Sequence, residues 1–82
     1  MNHTFVVRIE RKPGLSDPEG TTTAKALRDL GFDEVGRVSF GRTITLEVNA
    51  DSPEAARDSI DAMCRRLLAN PVIESYTIET AS

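Results

Sequence analysis

The stretch LGFDEVGRVSFGRTITLEV, Leu30 to Val48, decides how the rest of the chain is read. Gly31 marks a helix end, because glycine takes the left-handed conformation at a helix C-terminus without steric cost. Val35 to Phe40 is rich in β-branched and aromatic residues, and Thr43 to Val48 alternates polar with apolar. Gly41-Arg42 between them predicts a two-residue hairpin turn. A helix candidate lies on each side of this hairpin and a strand candidate beyond each helix. The expected order is therefore β-α-β-β-α-β.

Working outward, Thr4 to Lys12 is the first expected strand, with Phe5, Val7 and Ile9 on one face. Pro13-Gly14 ends it. Asp17 is a good N-cap, Pro18 suits the first helical position and Glu19 meets the helix dipole. The first helix should run from Pro18 to about Leu30, with Ala24, Leu27 and Leu30 on one side. Gly20 is out of place in its first turn. It signals either close packing of the loop or close approach by a partner chain or ligand. Asp51-Ser52-Pro53-Glu54 repeats the start signal, and the second helix should reach Leu68 or Ala69, where Asn70-Pro71 stops it. Its stripe is Ala56, Ile60, Met63, Cys64, Leu67 and Leu68. Val72 to Thr80 is the last expected strand.

These elements predict an α+β, two-layer sandwich: an antiparallel four-stranded sheet covered by two helices in ferredoxin-like order, a single domain over 1–82. The reverse face of the sheet carries Arg8, Glu10, Thr43, Thr45, Glu47, Ser75, Thr77 and Glu79 and is rich in hydroxyls. It is either solvated or a polar subunit interface. A chain of 82 residues has a modest core, so association with other copies is expected.

Composition narrows the function classes. Ten basic and 13 acidic residues give a net charge of −3, which argues against nucleic acid. No cationic cluster suits a lipid surface, and no run approaches transmembrane length. The N-terminus lacks the pattern of a signal peptide, so a cytoplasmic location is the default. One Cys and one His do not make a closed zinc site, and no metal or catalytic residues are expected. Cys64 falls within an apolar stripe and reads as a core residue. Lys12 and Arg42 are the best-placed cations for touching a partner.

The ordered set Lys12-Pro13-Gly14, Asp17-Pro18-Glu19-Gly20, Ala26-Leu27, Leu30-Gly31-Phe32, Val38, Gly41-Arg42, Leu46-Glu47-Val48, Met63-Cys64 and Leu67 to Glu74 resembles the PurS family. That family is the small subunit of phosphoribosylformylglycinamidine (FGAM) synthase. One departure is Arg42, where the family often has Lys. The resemblance implies a role in de novo purine synthesis, in an enzyme that makes FGAM from formylglycinamide ribonucleotide, ATP and glutamine. It implies a homodimer or homotetramer that bridges a PurL-type synthetase subunit and a PurQ-type glutaminase subunit and assists ammonia transfer. ATP and Mg²⁺ would belong to the synthetase subunit, with no cofactor on this chain. The partner-contact candidates are Lys12, Pro13, Gly14, Asp17, Gly20, Gly41, Arg42, Asn70 and Pro71. The alternative is a small regulatory domain that binds a metabolite at a dimer interface.

Overall fold

A computed structural model describes residues 1–81. The elements are β1 (Asn2–Arg11), α1 (Pro18–Asp29), β2 (Gly41–Asn49), α2 (Pro53–Met63), a π-helical turn (Cys64–Leu68) and β3 (Glu74–Thr80). The sheet has three antiparallel strands in the order β2-β1-β3. β1 is central because it alone has two neighbours to satisfy its backbone on both edges. Its odd-numbered apolar residues Phe5, Val7 and Ile9 are buried under α2.

Helix starts follow the local chemistry. The Ser52 hydroxyl accepts the Ala55 N–H at 3.1 Å, and Pro53 opens α2. Ala56, Ile60 and Cys64, four residues apart, then lie on one stripe and are fully buried against the sheet. The π-helical turn that follows widens the last turn, with the Ala69 N–H donating to the Cys64 carbonyl at 3.0 Å. It brings Ala69 into the core and leaves Leu67 83% exposed, so Leu67 does not join the stripe expected of it.

The expected four-stranded sheet is corrected to three strands, because the hairpin at Gly41-Arg42 does not close. Gly41 instead opens β2, paired opposite Glu10. The physical reason is side-chain parity. A two-residue turn would set Phe40 opposite Thr43 and Val38 opposite Thr45, turning both apolar residues onto the hydroxyl face. Without that turn, Gly41 opens β2, and Ile44, Leu46 and Val48 pack against the core on the helix side. Val35 to Phe40 is thus not a strand of the sheet.

The expectation that two helices cover the sheet is also corrected. α2 packs on all three strands, whereas α1 makes no extensive contact with any of them. With residues 30–40 returning alongside it, α1 forms an arm that projects beyond the sheet. The molecule measures 52 × 27 × 14 Å, with a Cα radius of gyration of 16.4 Å. A compact chain of this length would have about 12 Å. The last strand begins at Glu74 rather than Val72, since residues 71–73 form the turn that leaves the π-helical segment.

Candidate functional site

The sequence candidates gather at one end of the sheet, where β1 ends, β2 and β3 begin, and the π-helical turn exits. Arg42 is even-numbered and so points to the helix side. Its Nη2 donates to the Leu68 carbonyl at 2.6 Å and to Glu74 Oε1 at 3.1 Å, while Nη1 donates to Glu74 Oε2 at 2.7 Å. One guanidinium therefore satisfies a helix-terminal carbonyl and grips a carboxylate with both prongs, which a lysine cannot do. The Asn70 N–H also donates to Glu74 Oε1, at 2.7 Å. Arg42 beside it, and then this N–H, hold the Glu74 carboxyl below its usual range. The same contact raises the Arg42 guanidinium pKa further.

Lys12 reaches the same loop. Its Nζ donates to the Pro71 carbonyl at 2.7 Å, and its backbone N–H donates to the Ile73 carbonyl at 2.9 Å. The Asn70 side chain accepts the Val72 N–H at 3.1 Å. Lys12, Arg42, Asn70 and Pro71 thus form one connected group. Pro13 and Gly14 form the exposed turn that leaves it.

Asp17 and Gly20 form a second group at the root of the arm. Asp17 Oδ1 accepts the Gly20 N–H at 3.0 Å, the expected N-cap bond. Its Oδ2 accepts the Phe40 N–H at 2.9 Å, across 23 residues of sequence. These two backbone donors, Phe40 first, lower the Asp17 pKa, and its carboxylate lies 4.0 Å from Arg11 Nε. Gly20 explains itself here. A Cβ at that position would stand 2.0 Å from the Val38 carbonyl oxygen, so only glycine lets the returning segment lie against the helix. Of its two open readings, packing within the chain is the one observed. Gly41 is similar, since a Cβ there would stand 2.6 Å from the Ile9 carbonyl oxygen.

An open groove of about 230 Å³, lined by Arg11, Asp17, Arg42 and Glu74 among others, joins the two groups. Sequence reasoning left out Arg11 and, as a site residue, Glu74. Arg11 and Glu74 are cross-strand partners at the sheet end, a juxtaposition that needs the strand register to be seen. Away from this end, Cys64 is fully buried and burial raises its thiol pKa, the behaviour of a small core residue. Among the described residues, no group of three or more His, Cys, Asp or Glu could hold a metal ion. No helix there is long and apolar enough to cross a membrane.

A small α+β chain with a three-stranded sheet, one packed helix and a projecting arm is the class that these features define. The family model described as "PurS: Phosphoribosylformylglycinamidine (FGAM) synthase" matches residues 4–82. A subunit PurS of FGAM synthase from Archaeoglobus fulgidus is 50% identical over 72 residues, covering 88% of this chain and 90% of that one. PurS of Methanocaldococcus jannaschii, a subunit of formylglycinamide ribonucleotide amidotransferase in the purine biosynthetic pathway, matches with a TM-score of 0.85. It is 35% identical, over 100% of this chain and 98% of that chain. A chain in the structure of PurLQS from Thermotoga maritima matches with a TM-score of 0.91 at 30% identity, over 99% of both chains. The chain belongs to the PurS family of FGAM synthase subunits.

Proposed function

We propose that this chain is the non-catalytic small subunit of FGAM synthase, acting as a cytoplasmic homo-oligomeric adaptor between a synthetase and a glutaminase subunit. The observation that carries the reading is the match, over nearly every residue, to a chain of the PurLQS structure. Two features of the molecule support it. Leu30, Phe32, Leu67 and Val72, all large and apolar, stand exposed as surfaces that a partner could cover. The candidate groups Lys12, Arg42, Asn70 and Pro71 at the sheet end are joined by hydrogen bonds into one connected surface.

The adaptor works by positioning. Ammonia that escapes to water becomes ammonium and loses its nucleophilic lone pair. A contact that closes the route between the glutaminase and synthetase subunits keeps it neutral and raises its effective concentration. ATP and Mg²⁺ stay with the synthetase subunit. Comparing glutamine-dependent with ammonia-dependent FGAM synthesis, with and without this chain, tests the role. The expected result is a large loss of the glutamine-dependent rate without it; equal rates would overturn the coupling role. No observation favours the metabolite-binding alternative.

A further inference from the structure

One short segment turns its hydrocarbon outward and keeps its polar backbone to itself. The chain that joins α2 to β3 leaves Leu67 83% and Val72 76% exposed. Among the large apolar side chains described, only Met1 is more open. A single exposed apolar residue is ordinary. Here two stand within one short connection, and Met63, a turn before Leu67, is open as well.

The backbone of the same segment has no donor left to offer. Every N–H from Ala69 to Glu74 is already given, Pro71 having none. Ala69 donates to the Cys64 carbonyl, Asn70 to the Glu74 carboxylate and Val72 to the Asn70 side chain, while Ile73 and Glu74 both donate to the Asn70 carbonyl. The Leu68 carbonyl is taken by Arg42, and the Pro71 and Ile73 carbonyls by the side chain and backbone of Lys12. Residues at the ends of all three strands supply these bonds. Covering the segment therefore leaves no backbone N–H unpaired, and few groups remain to be ordered when a partner arrives. What a partner gains there is apolar area taken from water.

Charge decides what can cover it. Arg42 is matched by Glu74, and Arg65 by Asp61 at 3.1 Å. Among the described residues, Arg66 and Lys12 lie within 4.0 Å of no carboxylate, and the Lys12 ammonium rests on a carbonyl. This corner thus keeps two unmatched cations on a chain of net charge −3. A two-fold contact of the segment with a second copy would set like charges face to face. We infer that the Leu67–Val72 segment is a docking surface for a different protein, one that presents an apolar hollow rimmed by carboxylates. The inference deepens the adaptor reading above, on which it rests, by naming the surface through which the adaptor meets a larger companion subunit. Leu67 and Val72 fill the hollow, and Arg66 and Lys12 meet the rim, where they set orientation and speed encounter.

The test titrates the full-length chain against a PurL-type synthetase and a PurQ-type glutaminase, separately and together, with ATP, Mg²⁺ and glutamine present. Leu67→Asp with Val72→Asp changes two exposed side chains. It should keep the wild-type far-ultraviolet dichroism and self-association, and bind the companion that covers the segment about 100-fold or more weakly. Leu67→Ala with Val72→Ala adds no charge, should lose about 10-fold, and carries the test if the charged pair does not fold. Arg66→Glu should weaken binding and flatten its dependence on salt. Unchanged binding of the double variants to both subunits overturns the docking surface while the adaptor reading stands. A wild-type chain that binds neither subunit overturns that reading and the inference with it. Lost self-association with the dichroism kept would make the occupant a second copy, and wild-type binding that salt leaves untouched would remove the carboxylate rim.

Discussion

Under α2, the side chains of Phe5, Val7, Ile9, Ala56, Ile60 and Cys64 are almost completely shut off from water. In α1 only Gly20 and Ala24 are buried, and the arm is held by backbone bonds to Asp17 and by Arg28 on the carbonyls of Val35 and Gly36. The first region is stabilised by apolar burial, the second by directed polar contacts at its two ends. The difference teaches that one short chain can carry a well-packed core and an appendage whose large apolar side chains, Leu30 and Phe32, stay open.

The sharpest way to break the contrast is in the core. Ile60→Ala should destabilise the fold by about 2–5 kcal/mol in urea denaturation, because it opens a cavity between α2 and the sheet at a fully buried side chain. Gly20→Ala should cost less, about 1–3 kcal/mol, since the new methyl meets a backbone oxygen that must move. Its mark should be confined to the arm, as faster hydrogen exchange at the Phe40 amide. Gly36→Ala, with open space around it, is the control.

Acid should loosen the arm before the core. The folded-state pKa of Asp17 is depressed, so its contribution is present above the ordinary carboxylate value of about 4 and is lost as pH falls through the lower folded value. Phe40 amide protection should decline in that window in the wild type and stay flat in Asp17→Asn. Arg42→Lys should have the smallest effect. It keeps the charge near Glu74 but loses the simultaneous grip on the Leu68 carbonyl, which faster exchange at Asn70 and Glu74 would report.

Much of this was legible in the sequence. The caps at Asp17 and Ser52, the β1 core residues and the burial of Cys64 follow from short-range pattern, and the structure keeps them. The Gly41-Arg42 turn failed because a turn signal is local, whereas the parity of Val38 and Phe40 against Ile44 and Leu46 is a property of the longer segment. The packing of α1 failed because an amphipathic helix announces that it has a partner without saying which. At the candidate site, Lys12, Arg42, Asn70 and Pro71 could be named one by one, but their meeting through Glu74 depended on three strands aligning at one end.

The alternation along β2 also fixes what lies on the far side of the sheet. Thr43, Thr45, Glu47 and Asn49 of β2 stand in a single file about 20 Å long, on the same face as Arg8 of β1 and Ser75, Thr77 and Glu79 of β3. Hydroxyls and carboxylates in such an array hold ordered solvent, and another protein docking there would share that solvent instead of expelling it. Such an attachment would come apart without stranding bare hydrocarbon.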